Sequence, residues 1–304
     1  MTQASKLHTP RRRINRQWLF AYALLAPTLL LIFIFNVWPL VYSAYLSLQQ
    51  YSLLFPIRRF VGLENYRFLF EDPEFIAALG RTLYFVVVSL ALETTIGLAV
   101  ALVLNERFFG RGLVRTIVLL PWAIPTIVNG VLWRWIYQPN FGALNGLLWQ
   151  LGIIDEYVHW LGEPWRAMNM VILADAWHMI PFYTLMFLAG LQGIPDSLHE
   201  AARVDGAGWF RRFWHITLPL LRPILLVILV IRTIETFRVF DIIYALTRGG
   251  PGGGTTVVGY YAYEQAFSFA DFGMGSAASM VITLSVLVLA VLYVKLLYRD
   301  ELLH

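Results

Sequence analysis

Residues 82–104 read TLYFVVVSLALETTIGLAVALVL, and Glu93 is the one acidic or basic side chain among them. As a helix this run would be about 35 Å long, which exceeds the ~30 Å hydrocarbon core of a bilayer. Its apolar residues follow one another without the alternation of a β-barrel strand, and only helices and closed barrels satisfy their backbone hydrogen bonds inside a membrane. The stretch therefore predicts a transmembrane α-helix.

Five more stretches meet the same criterion, on both sides of this one. The six predicted spans are residues 19–40, 82–104, 114–135, 168–191, 221–243 and 276–298. Of the 304 residues, 59% are hydrophobic and 14% are charged, against about 25% charged in soluble domains. With a mean hydropathy of +0.64, this composition excludes a soluble enzyme, a nucleic-acid-binding domain and a disordered chain. The predicted fold class is an all-α integral membrane protein with six transmembrane helices.

Arginine placement predicts the orientation, because short cytoplasmic loops are enriched in lysine and arginine. Basic residues concentrate before the first span, after the second, after the fourth and after the sixth: Lys6, Arg11, Arg12, Arg13, Arg16, Arg107, Arg111, Arg115, Arg203, Arg211, Arg212, Lys295 and Arg299. Both termini are therefore predicted to be cytoplasmic, with a tail at 1–18 and one six-helix domain at 19–304. The first apolar run is too long for a signal-peptide core, so we expect an uncleaved span. The net charge of +4 fits such loops, and no nucleic-acid partner is expected.

The chain lacks residues that several kinds of chemistry need. It has no cysteine, and Lys6 and Lys295 are its only lysines. The glycine run at 249–254 therefore cannot be a P-loop, which ends in Gly-Lys-Ser or Gly-Lys-Thr, and we interpret it as a flexible external turn. No group of His, Asp and Glu has metal-ligand spacing, and no nucleophile stands beside a base. We expect no catalytic residue, no metal and no cofactor in this chain.

The connection between the fourth and fifth spans, residues 193–219, reads GIPDSLHEAARVDGAGWFRRFWHITLP. Pro195 is typical of a helix start, Ser197 and Glu200 fit a capping box, and Gly206 is typical of a helix end. A second short helix at 209–215 would combine aromatic and basic side chains. The pattern predicts a cytoplasmic helix-turn-helix, and on the pattern alone it is also compatible with a helix pair lying on the membrane surface.

The same connection resembles the EAA loop of the permease subunits of binding-protein-dependent ABC importers. Glu200, Ala202 and Gly206 match the motif of that family position by position. The resemblance implies a type I importer permease fold and a coupling helix that docks on a separate ATPase. The implied coupling residues are Glu200, Ala201, Ala202, Asp205, Gly206 and Ala207.

Further stretches resemble the carbohydrate branch of that family, of the maltose and trehalose type. They are PWAIP at 121–125, WHMIPF at 177–182, DGA at 205–207, LTRGGP at 246–251 and YEQAF at 263–267. The resemblance implies a proline-broken third helix, a kinked fourth helix and a disaccharide cargo such as trehalose. It also implies three partners: a second homologous permease, a dimer of ATP-binding subunits that hold ATP and Mg²⁺, and an extracytoplasmic sugar-binding protein. The implied location is the bacterial inner membrane, in contact with its lipids.

Ionisable residues inside a membrane are costly and suggest function. Arg232, Glu235, Arg238 and Asp241 follow one another at i,i+3 spacing in the fifth predicted span, so neighbours can pair while the first and last point to nearly opposite faces. We expect Glu93 and Asp175 to pair with an arginine such as Arg232. The substrate-path candidates, supported in part by the resemblance, are Asn129, His178, Phe182, Glu235, Thr236 and Arg238. For Arg232, neutralisation by a carboxylate within the helix bundle is an alternative to a place in the substrate path. For His178, a packing role is an alternative to contact with the substrate.

Two alternatives stay open. In a secondary transporter, Glu93, Glu235 or Asp241 would relay protons. An ABC importer with a glycerol-phosphate cargo would use Arg238 to bind phosphate, although Glu235 one turn away disfavours an anion. A membrane-embedded enzyme has no plausible nucleophile or metal site here.

Overall fold

The computed structural model describes residues 16–54 and 58–301. The predicted tail at 1–18 lies outside this part of the chain except for its last three residues, which already belong to the first helix. The helices are α1 (Arg16–Ile32), α2 (Trp38–Ser47), α3 (Glu64–Glu71), α4 (Pro73–Asn105), α5 (Arg111–Leu119), α6 (Thr126–Ile136), α7 (Ala143–Gln150), α8 (Pro164–Gln192), α9 (Asp196–Val204), α10 (Trp209–Arg212), α11 (Leu218–Phe237), α12 (Asp241–Leu246), α13 (Val258–Tyr263) and α14 (Phe272–Glu301). One antiparallel hairpin, β1 (Gln49–Tyr51) with β2 (Arg58–Phe60), accompanies them in the described chain.

Five continuous helical segments in the described chain are long and apolar enough to cross a bilayer. They are Tyr22–Ser47, Pro73–Asn105, Pro164–Gln192, Trp209–Phe237 and Phe272–Tyr293. A sixth crossing is reached if Arg111–Ala123 and Thr126–Ile136, which are bent by 97° relative to each other, count as one span. The predicted all-α membrane fold is confirmed, with the third span broken as expected.

Two prolines explain the break in the third span. Pro121 lies in a 3-10 turn, and Pro125 precedes α6. A proline disfavours helical geometry in the residue before it, and Ile124 is extended, at φ −80° and ψ 130°. In the fourth span, by contrast, α8 runs through Pro181 without interruption.

The fifth span begins earlier than predicted. It runs from Trp209 through α10 and a π turn at Phe213–Thr217 into α11. The segment 209–215 is therefore the first part of a membrane-length helix, and the predicted separate second helix of a helix-turn-helix is wrong. Apolar aromatic residues fill this segment, so the helical pattern continues into the span without a break.

The fifth span also ends earlier than predicted, at Phe237. Asp241 opens α12, so Arg232 and Asp241 do not share one helix as the i,i+3 interpretation assumed. The cause is packing: α12 turns onto α6, where Ala245 meets the backbone at Gly130. A Cβ added to Gly130 would lie 2.6 Å from the Cβ of Ala245, so glycine is what permits this contact.

The centre of the fold is the pair α4 and α8, which are in contact along much of their length. The two helices approach closely at Gly97, where an added Cβ would lie 2.5 Å from the Cβ of Tyr183. Apolar clusters on either side of this pair bring in α11, α12, α13 and α14. The first span is the least buried of the five continuous spans. Its α2 part packs on α14, but the apolar part of Tyr22–Ser47 is not buried inside the described chain.

Candidate functional site

A buried ion cluster joins three spans near the middle of the fold. Arg232 of α11 donates from Nε to Glu93 Oε2 at 2.9 Å, from Nη2 to Glu93 Oε1 at 2.7 Å, and from Nη2 to Asp175 Oδ2. Glu93 is fully buried in α4, and the exposed fraction of Asp175 in α8 is 4%. The expected pairing of both carboxylates with Arg232 is confirmed. With two acceptors for one cation, the cluster ties α4, α8 and α11 together and engages Glu93, one of the three carboxylates considered for a proton relay.

Asn129 and His178 hold the bent third span against the fourth. His178 of α8 donates from Nε2 to the carbonyl oxygen of Ile124 at 2.9 Å, at the break in the third span. Asn129 of α6 donates from Nδ2 to the carbonyl oxygen of Ala174 at 3.1 Å. Both side chains are buried, and Asn129 Oδ1 and His178 Nδ1 have no hydrogen-bond partner in the described chain. These contacts indicate that Asn129 and His178 stabilise the bend of the third span, and they favour this role over direct contact with cargo.

Phe182 is half-buried and packs against Trp122, with ring centroids 5.9 Å apart. It therefore lies on the same α8 side of the break as His178, one turn further along. The structure brings Asn129, His178 and Phe182 together around the bend of the third span.

The other three substrate-path candidates lie where α11 ends. Thr236 is buried and donates from Oγ1 to the carbonyl oxygen of Arg232 at 2.5 Å, so its hydroxyl is engaged within its own helix. Glu235 has a side chain that is 51% exposed, with Oε2 3.7 Å from Arg232 Nη1. Arg238 is exposed and follows the last helical turn, where a cation is favoured by the helix dipole. Glu235 and Arg238, unlike Thr236, present exposed polar groups.

The predicted coupling segment forms α9, a helix without buried residues in the described chain. Pro195 occupies its N-cap position and no side chain caps it, so the predicted capping box of Ser197 and Glu200 is wrong. Both residues lie inside the helix because its N-cap is Pro195, two positions before Ser197. Val204, in the last turn, is 88% exposed. The helix thus presents an apolar as well as an acidic surface, at the end of the fold opposite the hairpin.

Gly206 ends α9 as the sequence predicts. Its φ is +76°, the Gly206 N–H donates to Arg203 O at 3.0 Å, and the Ala207 N–H donates to Ala202 O at 2.8 Å. This pair of bonds is the Schellman motif, which needs a left-handed residue where glycine stands. Among the predicted coupling residues, Ala202 and Ala207 are half-buried and the exposed members are Glu200, Ala201, Asp205 and Gly206.

The glycine run at 249–254 lies at the other end of the fold. It is closely packed: a Cβ on Gly254 would lie 2.4 Å from Pro164 Cβ, and one on Gly249 would lie 2.7 Å from Thr256 Oγ1. The turn is therefore not the flexible one that we expected. At Gly249 and Gly254 the neighbouring atoms leave no room for a side chain.

Two cavities flank the glycine run. One, of about 400 Å³, is lined by polar groups that include Asp72, Glu74 and Glu264, and Tyr261 donates from its hydroxyl to Asp72 Oδ2 at 2.5 Å. Burial and the neighbouring charge of Glu74 raise the pKa of Glu264 above its ordinary value. Burial and the bond to Asp72 raise the pKa of Tyr261. The second cavity, of about 600 Å³, lies between the first turns of α4 and α8.

Sequence reasoning missed a set of aromatic rings directly beyond α11, at Phe240, Tyr244, Tyr263 and Phe267. The signal was the i,i+4 spacing within each of two pairs, Phe240 with Tyr244 and Tyr263 with Phe267. It was hidden because residues up to 243 were assigned to one continuous span.

These observations define a class: a multi-pass helical membrane protein in which a buried ion cluster joins three spans and an exposed helix projects at one end. The family described as "Binding-protein-dependent transport system inner membrane component" matches residues 93–299, and the chain belongs to that family.

The chain is 44% identical, over 92% of its length and 94% of the relative's, to the trehalose/maltose transport system permease protein MalF of Thermococcus litoralis. It is 37% identical to the trehalose transport system permease protein SugA of Mycobacterium tuberculosis, over 91% of this chain and 88% of that one. The fold matches a chain of a bacterial ABC transporter involved in import of the acidic polysaccharide alginate, with a TM-score of 0.80 and 28% identity, over 93% of this chain and 96% of that one.

The predicted resemblance to carbohydrate ABC importer permeases is confirmed by these matches. The chain is a multi-pass permease component of an ABC importer in the cell membrane. Its relatives are named as transport permease proteins, in agreement with the prediction of a transport subunit that is not an enzyme.

Proposed function

We propose that this chain is the permease subunit of an ATP-driven importer of a disaccharide such as trehalose. Its partners would be a second homologous permease, a dimer of ATP-binding subunits and an extracytoplasmic sugar-binding protein. ATP and Mg²⁺ would be held by the ATP-binding subunits, and both termini of this chain would face the cytoplasm beside α9.

The observation that carries the proposal is α9. None of the nine residues of α9 is buried in the described chain, and it exposes two large apolar side chains, Leu198 at 43% and Val204 at 88%, so it offers a surface that another protein would cover. Asp196 and Glu200, one turn apart, give it an acidic side, and Gly206 fixes the angle at which the chain turns away.

The helix after α9 supports a mechanical role. The segment Trp209–Phe237 has 29 residues, so it extends about 43 Å and exceeds the hydrocarbon thickness. It runs without a break from the turn after α9 to Arg232 and Glu235, and Arg238 follows its last residue. Closure of an ATPase dimer against α9 would therefore be transmitted along one continuous helix to the part of the substrate path that lies farther from α9.

The cargo class is supported by the relatives and by the charges near the path. MalF and SugA are named for trehalose or maltose transport. Glu235 and Arg238 offer both a carboxylate and a guanidinium, which hydrogen-bond to sugar hydroxyls, and the carboxylate disfavours a phosphate cargo.

The test is purification of the tagged chain from its own membranes in mild detergent, with identification of the accompanying proteins by mass spectrometry. The proposal expects a P-loop ATPase and a second permease, and trehalose uptake by the reconstituted complex that requires internal ATP. Recovery of this chain alone, with uptake that follows the proton gradient and not ATP, would favour a secondary transporter and refute the proposal.

A further inference from the structure

Four aromatic rings form a connected row that starts three residues after the end of α11. Their ring centroids are separated by 5.5 Å between Phe240 and Tyr244, 4.9 Å between Phe240 and Tyr263, and 5.2 Å between Tyr263 and Phe267. Each distance lies within the range in which aromatic side chains make favourable ring contacts. We call Phe240, Tyr244, Tyr263 and Phe267 the aromatic track.

The track has a buried side and an open side. Tyr260, with an exposed fraction of 6%, packs against Phe240, and their ring centroids are 6.2 Å apart. Phe240, Tyr244 and Tyr263 are half-buried, and Phe267 is 67% exposed. The rings are therefore anchored in the core and still offer surface, and the exposure increases toward Phe267.

Ionisable residues lie next to Phe240 in the sequence, where the track follows α11. Arg238 and Asp241 are exposed on either side of Phe240 in the sequence, and Glu235 is half exposed one turn earlier in α11. Arg238 and Asp241 form no hydrogen bond or ion pair with another side chain among the described residues. Such groups at the end of a membrane helix require water, a partner or a polar ligand. The Arg248 guanidinium lies 5.9 Å from the centre of the Tyr244 ring, at the end of the row opposite Phe267.

Aromatic faces next to free charged and polar groups match the surface of a sugar, which has apolar ring faces and a rim of hydroxyls. We propose that the aromatic track binds the rings of a saccharide and guides it toward Glu235 and Arg238 at the end of α11. The proposal rests on the proposed sugar transport and adds the residues that hold the sugar before it reaches the fifth helix.

The absence of cysteine from the sequence permits a direct test in the assembled importer. Ser268→Cys places one thiol beside Phe267, at an exposed position, and leaves all four rings in place. The rate at which a polar methanethiosulfonate reagent modifies this thiol is measured in the reconstituted complex with and without trehalose or maltose, whichever the complex takes up. We expect the transported sugar, at ten times its half-saturating concentration, to slow modification about tenfold by occupying the track.

Two further variants in the same Ser268→Cys background separate binding from local structure. Phe267→Ala should abolish the protection, while Phe269→Ala should retain it, because Phe269 is 57% exposed nearby but makes no ring contact with the track among the described residues. Both rings are exposed, so both variants should assemble in normal amounts. The proposal would be refuted by a sugar that is taken up but does not protect the thiol of Ser268→Cys. It would also be refuted if Phe267→Ala and Phe269→Ala lost this protection equally. Uptake of neither sugar would instead contradict the proposed cargo class, so the two failures are distinguishable.

Discussion

Replacing Arg232 by methionine tests the buried ion cluster. The variant Arg232→Met removes three hydrogen bonds and leaves the carboxylates of Glu93 and Asp175 buried without a cation. Removing one partner of a buried ion pair costs about 3–5 kcal/mol, because the remaining charge keeps its desolvation penalty. We expect a loss of that size in the free energy of unfolding, measured by a denaturant titration in mixed micelles.

Two further variants make the measurement specific. Arg67→Met removes an ion pair of similar length, 2.9 Å to Glu71, whose side chains are 76% and 56% exposed, so we expect a loss of about 0–1 kcal/mol. The neutral triple variant Arg232→Met, Glu93→Gln and Asp175→Asn should recover most of the stability, because no uncompensated charge remains. Equal losses for Arg232→Met and Arg67→Met, or a triple variant no better than the single one, would refute the reasoning.

Three other outcomes follow from single contacts. Gly206→Val forces a β-branched residue into the left-handed region at φ +76° and should abolish ATP-dependent uptake while the yield of folded permease is retained; normal uptake would contradict the role of the turn. Gly130→Ala should lower the free energy of unfolding by about 1–3 kcal/mol because its Cβ meets Ala245, whereas Gly146→Ala, in open space within α7, should not destabilise, and equal effects would contradict the close contact. Because the pKa of Glu264 is raised in the folded protein, the folded state holds this proton more tightly, so stability should fall as pH rises from the ordinary glutamate pKa through the raised value; thermal unfolding of Glu264→Gln should lack that fall, and a fall of unchanged size would assign it to another group.

The sequence was sufficient for the features that depend on composition and charge. Long apolar runs without alternation can cross a bilayer only as helices, which is why the spans were predictable. A buried carboxylate such as Glu93 must find a cation, and Arg232 was the basic residue at comparable depth. Gly206 was predictable because the left-handed turn that ends α9 favours glycine.

The features that were missed depend on tertiary contacts. Ile242 and Ile243 continue the apolar pattern beyond Phe237, so hydropathy alone cannot detect that the chain leaves α11 and packs α12 against Gly130. The capping box at Ser197 failed because Pro195 already provides the helix start. The aromatic track depends on contacts of Phe240 and Tyr244 with Tyr263, which is distant in the sequence, so no local pattern specifies it.

The central claim, that α9 docks on a separate ATPase, is tested most directly by cross-linking from a single cysteine. Val204→Cys places a thiol at the exposed tip of α9, and Phe267→Cys places one at a similarly exposed position near the opposite end of the fold. In membranes that contain the whole importer, a short bifunctional thiol–amine reagent should join Val204→Cys to the P-loop ATPase and should not join Phe267→Cys to it. Absence of an ATPase adduct from Val204→Cys in membranes with active ATP-dependent uptake would contradict the account.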